Sequence, residues 1–189
     1  MNILVGYEYS GIVSSAFRAK GHAVTTCDLL PTDGKENCHY QGDIENLLSY
    51  PWDMAIFFPP CTYLCNAQLW MCQRSPDRRT KQFEAIKTVT RLFSLSHIPK
   101  IAIENPKGIL SSSFLPASQI IYPWQFGAPY KKPTCLWLKN LPPLISTCYS
   151  TIRKPISNHV NSRMTRDQKS KIKSKFFPGI AAAMANQWG

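Results

Sequence analysis

Asn2 to Val5 is a short apolar run, interrupted by GYEYSG and followed by IVSSAFRAKG, in which Ile12, Ala16, Phe17 and Ala19 recur at helical spacing before Gly21. The pattern predicts a strand, a glycine-containing turn and a helix. HAVTTCDLL, from His22 to Leu30, alternates and is β-branched, so it predicts a second strand closed by Leu30-Pro31, with Asp28 near its carboxyl end. CHYQGDI predicts a short strand ending near Asp43, and WDMAIFF a stronger one that runs into Pro59-Pro60. A polar stretch from about Thr62 to Arg79 reads as a loop. TKQFEAIKTVTRLFSLSH then places Phe83, Ile86, Val89, Leu92 and Phe93 on one helical stripe, and KIAIEN is a further strand with Glu104 and Asn105 at its exit.

Strands alternating with helices predict an α/β fold: a mostly parallel sheet, helices on both faces, right-handed crossovers. Past Pro106 two β-like runs, Gln119 to Tyr122 and Thr134 to Leu138, flank a Gly, Pro and Lys turn region and predict an antiparallel pair at the sheet's edge. The end of the chain reads as a basic helix, a Pro-Gly break and a short Ala-rich helix. With 189 residues and no long linker, the expectation is one compact domain over 1–189, with a basic segment, 151–189, packed on it.

Open sheets of this kind bind ligands beyond the carboxyl ends of their strands, near the point where strand order reverses. Tyr7 to Gly11, Asp28, Asp43, Cys61 and Glu104 all fall at such ends. GYEYSG between a strand and a helix suits a nucleotide-like cofactor, and Asp28, about 20 residues further on, suits the ribose hydroxyls of an adenosine. The GxGxxG spacing is absent, which favours a cofactor without a pyrophosphate. S-adenosylmethionine is the candidate.

In IFFPPCTYLC, two prolines fix φ and remove two backbone donors, so the thiol of Cys61 is held with little entropy left to lose. A thiolate is suited to adding across an activated ring double bond. Glu104, at the end of the next predicted strand, would supply the acid that such chemistry needs.

Composition narrows the partners. Charged residues make up 17% and apolar residues 44% of the chain, and no apolar run approaches the roughly 18 residues of a membrane span, so no membrane association is expected. The N-terminus lacks the basic flank and cleavage site of a signal peptide, and a cytoplasmic protein of a bacterial or phage-infected cell is the expectation. The seven cysteines include no CxxC pair, and the spacing of Cys61, Cys65 and Cys72 suits no standard zinc site, so no metal is expected. Thr151 to Gly189 carries eight Lys or Arg against Asp167 alone, supplying +7 of the net +11, which points to a polyanionic partner.

Pro59-Pro60-Cys61 followed by Ile103-Glu104-Asn105-Pro106, and preceded by Tyr9-Ser10-Gly11 and Asp28, resembles the cytosine carbon-5 DNA methyltransferases, whose signatures are PC and EN in this order. EYSGIVSSAFRAKGHAVTTCDLLP, HYQGDI, PPCTYLCNA, IENPKG, KKPTCLWLKNLPPL and PGIAAAMANQW look most like the short methylase-like proteins of phages. The resemblance covers nearly the whole chain. It implies a Rossmann-like, S-adenosylmethionine-dependent methyltransferase. Tyr9, Ser10, Gly11, Ile12 and Pro59 would line the cofactor, with Asp28 on its ribose and Asp43 on the adenine amino group. Cys61 would add to carbon 6 of cytosine while Glu104 bonds ring nitrogen 3 and the exocyclic amine, and Asn105, Lys131 and Lys132 would serve the substrate.

The departures from that family are specific. Val13 stands where the second glycine of the usual FxGxG turn would be, and the QRxR segment is absent, with Ala128 to Thr134 in its place. Between Leu144 and Arg163 there is too little chain for a target-recognition domain. The substrate is therefore open between DNA and a free cytidine nucleotide, and a non-catalytic nucleic-acid-binding protein of the same fold is a further alternative. Thr134-Cys135 matches the Thr-Cys nucleophile of RNA-type enzymes but falls in a predicted sheet strand, where a buried thiol is expected. The oligomeric state is left open by the sequence.

Overall fold

The structure is a computed structural model that describes residues 1–34, 38–155, 165 and 175–189. Its centre is a seven-stranded sheet. Strands β1 (Asn2–Gly6), β2 (Ala23–Asp28), β3 (His39–Gln41), β4 (Met54–Phe57), β5 (Lys100–Pro106), β6 (Gln119–Ile121) and β8 (Thr134–Lys139) lie in the order β3-β2-β1-β4-β5-β8-β6. All pairs from β3 to β5 are parallel, and β8 runs antiparallel between β5 and β6. The predicted antiparallel pair is therefore present, but Thr134–Lys139 is an inner strand and Gln119–Ile121 forms the edge. A separate two-stranded ladder joins β7 (Tyr130–Lys131) to β9 (Lys154–Pro155) in parallel.

Side-chain alternation along the strands divides the core into two layers, as a pleated sheet requires. Ile3, Val5, Met54, Ile56 and Ala102 face one side, where α1 (Ile12–Arg18) and α4 (Pro178–Trp188) contribute Val13, Phe17, Ile180, Met184 and Trp188. Leu4, Ala55, Phe57, Ile101 and Ile103 face the other, covered by Ile86, Val89 and Leu92 of α3 (Pro76–Ser94). Phe17 is wholly buried; a side chain of this size contributes about 1.5–3 kcal/mol by leaving water. Strand order reverses between β1 and β4, so the exits of these strands and of β5 frame the crevice where such folds bind ligands.

The structure departs from the sequence expectation at two places on this face. The stretch from Thr62 to Arg79 is not a loop: it holds α2 (Asn66–Arg74) and the first turn of α3, which Ser75 caps by accepting from the Arg78 amide with Pro76 in the first turn. Phe83 lies off the buried stripe of α3 and is 54% exposed. The Ala-rich C-terminal helix forms as expected, whereas the expected basic helix before it lies outside the described residues. Among the described residues no helix is long and apolar enough to cross a membrane.

Candidate active site

Cys61 sits four residues beyond the last paired residue of β4, and Glu104 one residue beyond Ile103, which pairs with Phe57 across the β4–β5 ladder. Two neighbouring strand exits thus bring the two predicted catalytic residues to one edge of the sheet. The loops that carry them are tied together. Asn105 Nδ2 donates to the Pro59 carbonyl at 2.8 Å, the Ile109 amide to the Leu64 carbonyl at 2.9 Å, and the Asn66 amide to the Lys107 carbonyl at 3.3 Å. Leu64 and Cys65 donate their amides back to the Cys61 carbonyl at 2.9 and 3.1 Å, closing a tight turn around the thiol-bearing residue. Gly108 allows this approach: a Cβ there would stand 1.9 Å from the Leu64 carbonyl oxygen, closer than any side chain can pack.

Burial dominates the electrostatics of the pair. It pushes the Glu104 carboxyl upward, against the opposing pull of the Lys132 ammonium and the Thr134 hydroxyl, so the acid is biased toward its neutral form. Glu104 is 8% exposed, and its Oε1 is buried with no hydrogen-bond partner among the described residues. A buried carboxyl oxygen without a partner is costly unless a ligand completes it. The Cys61 thiol is pushed up to about 11 by burial, then by the charges of Cys65 and Glu104, while Lys132 acts in the opposite sense. Lys132 therefore acts on both groups. It is half-buried, whereas Lys131 is exposed in the β7–β9 ladder. Cys72 is buried and Cys135 is wholly buried in β8 opposite Asn105 and Ile120, whereas Cys65, in the same turn as Cys61, is half-buried like it.

The cofactor side lies across the β1 exit. Asp28, Asp43, Gly42, Ile44, Cys27, Leu29 and Tyr7 line a recess of about 70 Å³. Tyr7 also borders a larger, mostly apolar cavity of about 490 Å³ between Pro59, Pro60, Tyr63 and the α3 residues Thr80, Glu84, Ala85 and Thr88. The sequence placed Asp28 and Asp43 in one cofactor site, and the structure puts both in one recess. Each also makes a local turn bond, Asp28 from the Leu30 amide at 2.9 Å and Asp43 from the Glu45 amide at 3.0 Å, which fixes the carboxylates in place. Pro59 lines the large cavity. Tyr9, Ser10, Gly11 and Ile12 line neither space. The Tyr9 carbonyl accepts from Asp33 and Thr32, Ser10 Oγ accepts from the Ile12 amide, and Gly11 is left-handed at φ 70° with a would-be Cβ 3.3 Å from Gly34 Cα.

Tyr7 and Glu8 fall in the strand-exit segment singled out from the sequence, but the sequence assigned neither of them a role. Tyr7 adopts φ 61°, an uncommon conformation for a residue with a side chain, which turns the ring into the space shared by both cavities. Burial and then the Glu45 and Asp43 carboxylates push its hydroxyl up to about 12, so it stays a neutral donor. Glu8, 4% exposed, accepts from the Val13 and Ser14 amides at 2.6 and 3.2 Å, capping α1 where Gly11 has no side chain to offer. Its only sequence signal is an acid two residues past an apolar strand and just before a helix.

No family model and no curated protein matches the sequence. Among solved structures, the Entamoeba histolytica methyltransferase EhMeth is similar at a TM-score of 0.53 and 14% identity, over 88% of this chain and 62% of that one. The S. pombe Dnmt2 methyltransferase is similar at 0.50 and 15%, over 89% and 62%. A putative DNA modification methyltransferase encoded within an E. coli prophage gives 0.47 and 16%, over 73% and 46%. The chain thus spans between 46% and 62% of the length of these proteins. The fold is the Rossmann-like one of the methyltransferases it matches.

Proposed function

We propose that this protein is an S-adenosylmethionine-dependent cytosine carbon-5 methyltransferase acting on DNA. The observation that carries the reading is the juxtaposition of Cys61 with Glu104, whose buried Oε1 has no partner among the described residues, on two loops tied through Asn105 and Pro59. The cavity beside Tyr7 and Pro59 is of ordinary size for a small-molecule site and shares Tyr7 with the recess holding Asp28 and Asp43, so the residues present fit S-adenosylmethionine. When bound there, the cofactor supplies an electrophilic methyl group.

The chain's own residues account for the rest. Cys61, its thiol proton lost to water, forms a bond from Sγ to carbon 6 of cytosine as the carbon 5–carbon 6 π bond breaks, while neutral Glu104 donates to ring nitrogen 3 and accepts from the exocyclic amine. Carbon 5 then carries the electron density that takes the methyl group. Loss of the carbon-5 proton to water re-forms the carbon 5–carbon 6 double bond as the carbon–sulfur bond breaks, which returns Cys61 as the thiolate and restores the ring. Lys132 favours the thiolate by its charge. Asn105 acts as a positioning residue through the Pro59 carbonyl.

The test is transfer of radiolabelled methyl from S-adenosylmethionine to cytosine-containing DNA, with CMP, dCMP and dCTP in parallel incubations analysed by mass spectrometry. Incorporation into the polymer supports the reading. A methylated product from a free nucleotide alone would move the same chemistry to that substrate, and no product from any of them, with the cofactor shown to bind, would eliminate it.

A further inference from the structure

Beyond the thiol and acid, a second feature occupies the same edge of the sheet. Strand β6 and strand β5 are both antiparallel to β8, so they are parallel to each other, and Thr134 lies opposite both Pro106 and Ile121. The turn that follows β6 therefore emerges beside the exit of β5, two strand spacings or roughly 10 Å away. That turn carries Tyr122 and Trp124. Their rings lie 5.8 Å apart at 28°, Trp124 meets Tyr149 at 5.9 Å, and the Arg153 guanidinium covers Trp124 at 4.0 Å. Tyr149 is 65% exposed.

This is a built surface. Ser150 donates its amide to the Trp124 carbonyl at 2.8 Å, Gly127 to Cys148 at 2.8 Å, and Lys154 to Pro129 at 2.7 Å, which fasten 148–154 onto 124–130. The β7–β9 ladder extends it from Lys154 to Lys131, one residue from Lys132 at the site. Its charge has one sign: the segments 122–132 and 148–155 that build it hold Lys131, Lys132, Arg153 and Lys154 and no Asp or Glu.

We propose that Tyr122, Trp124, Tyr149 and Arg153 form a stacking platform for the unpaired bases of a single-stranded nucleic acid, whose phosphates run past Lys154 and Lys131 toward Cys61. Aromatic faces and a planar guanidinium hold bases of any sequence, and flanking cations hold the backbone. A duplex keeps its base faces stacked inside and cannot use such a platform. The inference rests on the cytosine-methylating reading in one respect, because it assigns the form in which the substrate arrives: an unpaired strand, with no base to extract from a helix.

The test is binding of an oligothymidylate of about 20 nucleotides, single-stranded or annealed to oligoadenylate, followed by fluorescence anisotropy across a salt series without cofactor. The single strand is expected to bind about tenfold tighter than the duplex, and the Tyr149→Ala/Arg153→Ala double variant to lose about that factor on the single strand with unchanged Tm. Arg153→Lys, which keeps the charge and loses the planar stack, is expected to weaken single-strand binding about threefold. Equal affinity for strand and duplex, or wild-type binding by either variant, would overturn the platform. Binding is read on a cytosine-free probe and methyl transfer on cytosine-containing DNA, so absence of transfer alongside stacking-dependent binding refutes the catalytic reading alone, and transfer without stacking-dependent binding refutes the platform alone.

Discussion

The Asn105 side chain holds the Pro59 carbonyl at 2.8 Å, so the strand that carries Glu104 also fixes the turn that carries Cys61. This bond is buried, and removing its donor leaves a carbonyl without a partner. Asn105→Ala is expected to cost about 1–3 kcal/mol of stability, lowering Tm by about 2–4 °C for each kcal/mol. Methyl transfer should fall by more than binding of S-adenosylmethionine does. Thermal melts and cofactor titration on the same variant check both expectations.

Lys132, and not Lys131, is the cation expected to matter for the chemistry. With the Cys61 thiol at about 11, thiolate is scarce at neutral pH, and the rate should rise with pH on the alkaline side of neutrality as the thiolate fraction grows. Removing the opposing charge in Lys132→Met should move this rising limb to higher pH and lower the rate at pH 7.5 by about tenfold. Lys131→Met should leave the profile where it is. The pH dependence of kcat/KM for the two variants separates them.

Glu104 makes the folded protein pH-sensitive in a defined direction. Its folded-state pKa is raised, chiefly by burial, so the native state holds its proton more tightly than the unfolded chain does. Its contribution to stability is fully present below the unfolded carboxyl value and is lost as pH rises through the folded one. Glu104→Gln removes this loss. Wild type and variant should melt together near pH 4, and the variant should gain steadily as pH increases; parallel Tm curves would show that the carboxyl is not buried as described.

Ala85 offers a way to test the cofactor cavity without touching the thiol or the acid. It lines the 490 Å³ space from α3, where a tryptophan can be added to the helix face that borders the cavity. Ala85→Trp is expected to weaken S-adenosylmethionine binding at least about tenfold by isothermal titration, a loss of about 1.4 kcal/mol or more. Unaltered affinity would place the cofactor elsewhere.

The strands and their order of use were legible because each is a dense apolar run that ends in a polar or proline-bearing turn, as in IFFPP before Cys61 and KIAIEN before Pro106. Helix α2 was not. Only Cys72 on it is buried, so it has no apolar stripe, and Trp70 is 55% exposed beside Arg74. Ser75-Pro76 is a readable helix start, but it lies within a stretch whose composition reads as loop. The pairing of Cys61 with Glu104 was anticipated from strand adjacency, whereas the role of Tyr7 depends on a positive φ that a sequence does not declare. The spatial nearness of Trp124 to Tyr149, 25 positions apart, likewise arises from backbone bonds across two loops.

The central claim is that Cys61 attacks the ring. The most direct measurement is incubation with S-adenosylmethionine and an oligonucleotide carrying 5-fluorocytosine, whose carbon 5 has no proton to release, followed by intact mass under denaturing conditions. A covalent complex is expected with the wild-type protein and none with Cys61→Ala. Methyl transfer to ordinary cytosine without a trapped complex, or a complex that survives in Cys61→Ala, would contradict it.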